Sequence, residues 1–301
     1  MRQQLCDALV ARSPDPNMLF LTGDVGFMAL EPLRNAMKER FINAGVAEQN
    51  MVSVGAALAE QGFEVWVYSI APFCYARPFE QIRNDVAFHN RAVRLIGNGG
   101  GYGYGVMGPT HHAIEDYGVL LTLPNMTVFA PVFDDDVADV VELASRTGGP
   151  CYIRLGRGEA PADFAYPGYA AWRRLVRGGG VTVIAVGPLA GTYVECARSL
   201  PYERRPNLWA VAQLPVERHP PPPELVADIA NGAAICTAEE HVRQGGVASQ
   251  LALWCAENGV AVPRFRSLYA LAHHYDRYGS QTYLRAQSKL DPAGLLAALE
   301  C

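Results

Sequence analysis

The sequence lacks the features that mark several large classes of protein. Its seven cysteines include no Cys-x-x-Cys pair and are odd in number, which indicates neither a disulfide framework nor a zinc site. Lysine and arginine number 25 against 30 acidic residues, a net charge of −5, so no basic surface for nucleic acid or an anionic membrane is expected. There is no run of about 18 apolar residues and no apolar signal-peptide core at the start. We therefore expect a soluble protein of the reducing cytoplasm.

What the chain does have is a regular alternation of short apolar runs with helical patterns. Half of its 301 residues are hydrophobic, enough to build the cores of two domains. The alternation predicts an α/β fold, in which a mostly parallel sheet carries helices on both faces. Strands are expected at 18–22, 65–69, 93–97, 127–130 and 151–155, with helices near 3–12, 30–40, 47–60, 76–88, 111–122 and 134–145. These elements predict a first domain over residues 1–158.

The pattern fails between residues 159 and 180, where proline, glycine and aromatic residues are typical of a linker. A second α/β domain is predicted over residues 181–301. Its strands are expected at 181–186, 208–212 and 233–237, with helices near 189–199, 223–230 and 245–258.

Glu48 is the first candidate for a functional side chain. Gly45 permits a sharp entry into an alanine-rich helical run, which places Glu48 in the first turn, where the helix dipole favours a carboxylate. A first-turn carboxylate is usually exposed. Residues 51–59, however, are almost all small and apolar, as in a helix packed on several sides. The sequence therefore predicts an enclosed carboxylate.

Residues 97–112 form a glycine-rich segment between a predicted strand and a predicted helix. The carboxyl end of a strand in such a sheet is where ligands bind. Seven glycines among these sixteen residues fit neither a Walker loop nor a dinucleotide fingerprint. Glycine content alone predicts a flexible loop.

His111 and His112 are expected to begin the helix that follows. A histidine at a helix N-terminus tends to stay neutral and can accept or relay a proton, although such pairs more often serve as caps or surface residues. Adjacent histidines on a helix point in different directions, and no third ligand lies at a useful spacing. No metal site is therefore predicted.

Five motifs in order resemble the transketolase family and the related deoxyxylulose-phosphate synthases. They are Gly-Val-Ala-Glu-Gln at 45–49, Tyr-Ser at 68–69 with Phe73 and the run 77–87, Gly-Pro-Thr-His at 108–111, Leu-Pro-Asn-Met at 123–126, and Arg-Leu-Gly-Arg-Gly at 154–158. Glu-Glu-His at 239–241 with Gly-Gly at 245–246 is similar, more loosely, to the C-terminal domain of these enzymes.

The resemblance implies a cofactor and a partner. In that family thiamine diphosphate lies between a domain that holds its aminopyrimidine and a domain that holds its diphosphate and a divalent metal. This chain resembles the first of these domains followed by the C-terminal domain. The Gly-Asp-Gly motif of the diphosphate domain is absent from the sequence. The resemblance thus implies a partner subunit that supplies the Mg²⁺ ligands, in an α2β2 heterotetramer.

The resemblance also implies roles for particular residues near the cofactor. Glu48 would share a proton with the pyrimidine ring, Val46 would line the same pocket, and Tyr68 and Phe73 would pack around the ring. Asp24 matches an acidic position near the cofactor or the subunit interface.

Two residues are implied on the substrate side. His111 would stand over the reacting carbon, where it would stabilise an alkoxide and move protons. Arg157 matches an arginine that binds the substrate phosphate, with an ion pair or an interface contact as the open alternative. Arg154 is expected to be structural.

The sequence departs from the family pattern in the glycine-rich segment. Met107 occupies the position of an acidic residue that binds an acceptor hydroxyl, and Gly99 and Gly100 align where sugar-phosphate enzymes carry a basic residue. These changes predict a roomier and less polar acceptor pocket, bordered by Tyr102 and Tyr104. We hypothesise that the acceptor is not an ordinary aldose phosphate.

The leading functional hypothesis is one subunit of a split, transketolase-like enzyme that moves a two-carbon ketol unit from a ketose to an unusual aldehyde. Two alternatives remain open: the beta subunit of a 2-oxo acid dehydrogenase, and a catalytically silent paralogue that regulates a partner. The run Gly-Pro-Thr-His-His-Ala-Ile-Glu-Asp at 108–116 favours the first.

Overall fold

A computed structural model describes residues 1–158, 160–271, 273 and 279–300 of the chain. Residue 159 of the predicted linker, and residues 272, 274–278 and 301 of the predicted second domain, lie outside the described residues. The first half of the chain contributes strands β1 (Met18–Thr22), β2 (Phe41–Asn43), β3 (Glu64–Ile70), β4 (Val93–Asn98), β5 (Thr127–Phe129) and β6 (Cys151–Leu155). Its helices are α1 (Arg2–Arg12), α2 (Glu31–Met37), α3 (Glu48–Glu60), α4 (Ala71–Tyr75), α5 (Phe79–Gln81), α6 (Asp116–Leu120) and α7 (Asp136–Arg146).

The second half of the chain alternates strands and helices in the same way. Its strands are β7 (Trp172–Val176), β8 (Thr182–Val186), β9 (Asn207–Val211), β10 (Gln213–Leu214), β11 (Ile235–Glu239) and β12 (Phe265–Tyr269). Its helices are α8 (Pro188–Thr192), α9 (Val194–Ser199), α10 (Pro223–Asn231), α11 (Val247–Glu257), α12 (Gln281–Gln287) and α13 (Pro292–Glu300).

Two sheets organise these elements, and the predicted α/β class with mostly parallel sheets is confirmed. The first sheet has seven strands in the order β10-β5-β6-β4-β3-β1-β2, and the second has five in the order β12-β11-β8-β9-β7. Only the edge strands β10 and β7 are antiparallel to their neighbours. Because β10 follows β9 of the second sheet yet pairs with β5 of the first, the chain connects the two sheets a second time.

Strand β7 lies inside the segment that the sequence analysis assigned to a linker, so that assignment was wrong for residues 172–176. Two consecutive arginines interrupt its apolar pattern, which hid the strand. Arg173 forms an ion pair with the buried carboxylate of Asp136. Arg174 lies over the ring of Trp209, 4.8 Å from its centroid. Both guanidinium groups contact partners that are far away in the sequence. A local sequence pattern does not show such partners.

The two faces of β3 belong to different cores because successive side chains of a strand point to opposite faces. Val65 and Val67 face helix α3, where Gly55 allows close approach: a Cβ there would lie 3.2 Å from Val67. Trp66 and Tyr68 face the opposite core, which includes residues of α1, α2 and α7. The first sheet is thus covered on both sides, as expected for parallel strands.

The helix predicted at 111–122 begins later than expected, at Asp116. The backbones of Gly101 and Ala113 exchange two hydrogen bonds of 2.9 and 2.8 Å, which hold residue 113 in an extended conformation. His111 therefore ends a short 3₁₀ turn, Pro109–His111, and does not begin an α-helix. The helix predicted at 76–88 also begins later, at Phe79, because residues 76–78 form a turn that ends at Pro78. Helical turns then continue over Ile82–Ala87. None of the helices in the described part of the chain has the length and apolarity needed to cross a bilayer.

Candidate active site

The carboxyl ends of β1, β2, β3 and β4 meet at one edge of the first sheet, where parallel α/β sheets bind ligands. The segments that leave these four strands carry most of the candidate residues. They include Asp24 after β1, Val46 and Glu48 after β2, Phe73 after β3, and Tyr104, Met107 and His111 after β4.

Glu48 is the first residue of α3 and, as the sequence predicts, it is buried, with 2% of its surface exposed. Gly45 adopts the left-handed conformation, with φ of +71°, which turns the chain sharply into the helix. Arg77 donates a hydrogen bond of 2.7 Å from Nη1 to Glu48 Oε2. Ser69 donates from Oγ to Oε1 at 3.4 Å. The carboxylate is therefore held by two donors, Ser69 of β3 and Arg77 in the turn after α4.

Arg77 and Phe73 form a layer beside Glu48. The guanidinium carbon of Arg77 lies 4.4 Å from the centroid of the Phe73 ring, within range of a cation–π contact. Sequence reasoning did not assign a role to Arg77. A signal was available, because a spacing of four residues in a helical stretch places two side chains on the same face.

His111 also packs against Phe73, with the ring centroids 5.1 Å apart and an angle of 73° between the rings. The Thr110 hydroxyl lies 3.0 Å from Nδ1 of the histidine. Burial lowers the pKa of His111 below the usual 6.5, which favours the neutral imidazole. The neutral state expected from the sequence is supported, but desolvation is its cause, because His111 is not at a helix N-terminus.

Glu48, Arg77, Phe73 and His111 thus form a continuous row of contacts along the edge of the sheet. Tyr104 extends this row, since its ring centroid lies 6.4 Å from that of His111. Its hydroxyl accepts a hydrogen bond of 2.6 Å from Asn98 Nδ2. The row ends in a phenol that borders open space.

A cavity of about 350 Å³ lies beyond Tyr104. Asn98, Gly99, Arg2 and Arg157 also line it, as does Asp134, whose carboxylate pairs with the amino group of Met1 at 2.8 Å. No ion pair joins Arg2 or Arg157 to a carboxylate of the described residues. Two guanidinium groups at one cavity favour an anionic ligand. Arg2 was not identified from the sequence, because α1 is remote from every motif.

Three other candidates occupy the open side of the site. Val46 is 74% exposed and Met107 is 57% exposed. Asp24 is exposed, has a φ of +58°, and accepts a hydrogen bond of 2.8 Å from Asn43. Its neighbour Gly23 touches Glu48, since a Cβ there would lie 3.3 Å from Glu48 Cγ.

Tyr68 does not lie beside Glu48, contrary to its predicted position. It is 1% exposed and packs in the opposite core, with its ring centroid 6.1 Å from that of Phe20. The neighbouring Ser69 points to Glu48, so strand alternation sends Tyr68 to the other face.

Tyr102 does not border the open pocket either. Its side chain is fully buried, its ring centroid lies 5.3 Å from that of His112, and its hydroxyl lies 3.1 Å from Ser288 Oγ. Burial raises the pKa of Tyr102 to about 12. Of the two tyrosines predicted at the pocket, Tyr104 alone borders it.

The glycine-rich segment is fixed by packing, which corrects the prediction of a flexible loop. Gly99 and Gly100 both donate backbone hydrogen bonds to the carbonyl of Leu155, at 3.0 and 2.9 Å. A Cβ at Gly103 would lie 2.7 Å from the backbone of Gly99, and one at Gly101 would lie 2.7 Å from Glu240. The glycines are required here for close approach.

Arg154 is buried under this segment and pairs with the buried Asp116 at 2.8 Å, in agreement with the structural role expected from the sequence. No group of three or more His, Cys, Asp or Glu side chains suited to a metal ion occurs among residues 1–158, 160–271, 273 and 279–300.

Comparison with known proteins assigns the chain to a family. Residues 4–163 match the pyrimidine-binding domain of transketolase. The chain is 32% identical over 238 residues to a subunit of the apulose-4-phosphate transketolase of Actinobacillus succinogenes, covering 77% of this chain and 75% of that protein. It is 30% identical over 269 residues to the protein of the same name from Phocaeicola vulgatus, covering 87% and 85%. The chain therefore belongs to the transketolase family.

Two further comparisons show how much of this chain the similarity covers. A solved structure described as a split gene transketolase, inactive beta4 tetramer, is similar with a TM-score of 0.83 and 28% identity, covering 99% of this chain and 96% of that chain. The 1-deoxy-D-xylulose-5-phosphate synthase 1 of Geobacter sulfurreducens is 31% identical over 301 residues, which is 97% of this chain but 44% of that protein. The similarity thus extends over both sheets of this chain.

Proposed function

We propose that this chain is one subunit of a split, transketolase-like enzyme that transfers a two-carbon ketol unit from a ketose to an aldehyde. The observation that carries the proposal is the row of contacts from buried Glu48 through Arg77 and Phe73 to His111 at one sheet edge. The two relatives named as subunits of apulose-4-phosphate transketolases support it.

The residues present fit the aminopyrimidine of thiamine diphosphate. Glu48 offers a buried carboxylate at the end of the row, and Phe73 offers a ring that is only partly buried. When bound, this cofactor supplies the carbon nucleophile that attacks the ketose carbonyl. Glu48 would accept a hydrogen bond from the ring and hold a proton there, while Phe73 and Val46 would contact its faces and edge. We assign the diphosphate and Mg²⁺ ligands to a partner subunit.

His111 would act on the substrate. As a neutral imidazole it can donate a proton to, or accept one from, the oxygen of the carbonyl that is attacked and later reformed. Its contact with Phe73 sets the ring at the boundary between the cofactor side and the substrate side of the site. The hydroxyl of Thr110 orients the ring through Nδ1, which leaves Nε2 for the substrate.

The partner would cover the open side of this site. Large apolar side chains are exposed where β1, β2 and β4 end: Phe27 69%, Met28 93%, Val46 74%, Val106 64% and Met107 57%. Exposed apolar groups concentrated at one edge are typical of a protein interface. We expect an α2β2 assembly in which this surface meets the partner's diphosphate-binding domain, and we expect the chain alone to be inactive.

The cavity beside Tyr104 would hold an anionic part of the substrate. Arg157 would bind a phosphate there, with Arg2 as a second cation. The segment after β4 presents Gly99, Gly100 and Met107 in place of a basic and an acidic side chain, so the acceptor end remains less polar. The substrates would be a phosphorylated ketose donor and an acceptor other than an ordinary aldose phosphate.

Reconstitution tests this proposal. The chain would be co-expressed with a partner that carries a diphosphate-binding domain, and the mixture assayed with thiamine diphosphate, Mg²⁺ and a panel of ketoses that includes apulose 4-phosphate. We expect two-carbon transfer in the mixture and in neither protein alone. Pyruvate with an aldehyde acceptor, and pyruvate with a lipoyl carrier, test the synthase and dehydrogenase reactions.

In the same assay, Glu48→Gln distinguishes a catalytic subunit from a catalytically silent, regulatory one. We expect the reconstituted rate to fall by about 10²-fold or more, the scale of a lost proton-transfer group. The exposed Glu80→Gln, on the neighbouring helix, serves as the matched control and should leave the rate unchanged. If Glu48→Gln were as active as the parent complex, the chain would be a regulatory subunit.

A further inference from the structure

Glu240 is a buried carboxylate of the Glu-Glu-His motif, and the proposed function gives it no role. It directly follows β11 of the second sheet and is 4% exposed. Its side chain nevertheless contacts the glycine-rich segment, which belongs to the first sheet. Tyr102 N donates to Glu240 Oε1 at 3.1 Å, across 138 positions in the sequence.

Two side chains of α12 complete the environment of this carboxylate. Arg285 donates from Nη2 to Oε2 at 3.0 Å. Gln281 donates from Nε2 to both oxygens, at 3.1 and 3.2 Å. A buried carboxylate that is both paired and fully hydrogen-bonded fixes its partners in one arrangement, and removing its charge leaves a buried arginine without compensation.

The glycine-rich segment contacts Glu240 at Gly101 and Tyr102 and contacts the region of α12 at Gly105. Gly101 packs so closely on the carboxylate that a Cβ would lie 2.7 Å from it. Gly105 packs against α12 and the chain just before it, where a Cβ would lie 2.5 Å from Gly279 O and 2.8 Å from Leu284. The backbone carbonyl of Glu240 also accepts from Arg154 Nη2 at 2.8 Å.

This segment leads directly to the substrate side of the site. Tyr104, Met107 and His111 follow Tyr102 within nine residues, and backbone hydrogen bonds connect them in short turns. A displacement at Tyr102 is therefore transmitted to the side chains that face the substrate. Glu48 and Phe73, by contrast, are attached to other strands.

We propose that Glu240 is a positioning residue, through which the second domain fixes the segment that carries Tyr104 and His111. The proposal rests on the proposed function for its catalytic consequence. Its structural consequence, the fixing of residues 99–107, does not depend on any activity.

Hydrogen exchange of the whole chain tests the structural part. In Glu240→Gln, the amides of Tyr102, Gly103, Gly105 and Met107 should exchange about tenfold faster, because their local opening becomes easier. Gln281→Ala removes only the hydrogen bonds from the neutral side-chain amide to Glu240. It should increase the exchange rates of the same amides by a smaller factor. This second variant keeps the test available if Glu240→Gln folds poorly.

Arg218→Met is the matched control. Arg218 follows β10 and donates to the backbone carbonyls of Asn125 and Met126. These two residues precede β5, so they lie at the amino ends of the strands, away from the candidate site. The substitution removes an arginine contact between the two halves of the chain and leaves every contact of the glycine-rich segment in place. We expect unchanged exchange in residues 99–107.

Kinetics of the reconstituted complex test the catalytic part. Glu240→Gln should lower kcat by about tenfold to a hundredfold, the scale of a misplaced catalytic group, and leave the affinity for thiamine diphosphate unchanged. Arg218→Met should change neither quantity. Equal exchange in residues 99–107 of Glu240→Gln and the parent chain would overturn the proposal. Faster exchange with no ketol transfer in the parent complex would instead overturn the proposed function alone.

Discussion

The guanidinium of Arg77 reaches across the ring of Phe73 to the buried carboxylate of Glu48, with Nη1 2.7 Å from Oε2. Arg77 itself is 41% exposed, whereas Glu48 is 2% exposed. One partner is therefore desolvated and the other is not. Such a pair compensates the buried carboxylate while it leaves the arginine free to move when a ligand arrives.

This asymmetry predicts the stability of Arg77→Met. Removing the arginine leaves a buried carboxylate short of a donor, which should lower the free energy of unfolding by about 1–2 kcal/mol. In a Glu48→Gln background the same substitution should cost less, because no buried charge remains to be compensated. Urea unfolding of the two single variants and the double variant measures the coupling. Arg83→Met is the control, because this arginine is exposed and lies just after α5. Additive effects in the cycle would show that the pair does not compensate Glu48.

The lowered pKa of His111 predicts a pH dependence of stability. Above pH 6.5, its usual value, the residue is neutral in both the folded and the unfolded chain and contributes nothing. As the pH falls below 6.5, the unfolded chain binds a proton and the folded chain does not, so stability is lost until the folded pKa is passed. His111→Gln should therefore lose less stability than the parent between about pH 7.5 and pH 5.5.

Thermal unfolding of both proteins across this range measures the difference, in which the other histidines cancel. In the reconstituted complex, the acid limb of the rate against pH should lie below 6.5 if neutral His111 is required. An equal loss of stability in His111→Gln and the parent would show that the histidine is not held neutral by the fold.

Much of the fold follows from the sequence because several strands, such as β1 and β8, are nearly continuous apolar runs and the helix entry at Gly45 has a local cause. Glu48 was predicted to be buried from the small apolar residues behind it. The position of Tyr68 was predictable in principle, since adjacent residues of a strand cannot both face Glu48. The edge strand β7 was not, because Arg173 finds its buried partner Asp136 37 positions earlier in the sequence.

The glycine-rich segment is a stronger example of structure that depends on contacts between residues far apart in the sequence. Its composition indicates flexibility when only local properties are considered, and the contacts that fix it come from Leu155 and Glu240. The cavity beside Tyr104 also joins residues from separate elements, Arg2 in α1 and Arg157 after β6. Such groupings depend on topology, which sequence patterns specify only in outline.

The cavity predicts how phosphorylated substrates are selected. Arg157→Ala should raise the KM for a phosphorylated ketose by about tenfold or more and leave that for the unphosphorylated ketose unchanged, because only the charge-assisted contact is lost. Arg2→Ala should act in the same direction. Arg146→Ala, an exposed arginine on α7, is the control. Equal effects on both ketoses would indicate that Arg157 supports the fold or an interface instead of a phosphate.

Met107 provides the sharpest test of acceptor choice. It immediately precedes the Gly-Pro-Thr-His segment and is 57% exposed in the isolated chain, so Met107→Asp should not disturb the fold of this subunit. Met107→Asp restores a hydrogen-bonding acid that can accept from an acceptor hydroxyl, an interaction that strongly favours hydroxylated substrates over those that lack the group. In the reconstituted complex we expect kcat/KM for ribose 5-phosphate to rise by about tenfold relative to the parent. Val106→Asp introduces the same charge one residue earlier, on the same surface that we expect to meet the partner. It therefore controls for an effect of the charge on assembly and should not produce the gain. If the parent complex already used ribose 5-phosphate efficiently and Met107→Asp made no difference, Met107 would not determine the acceptor.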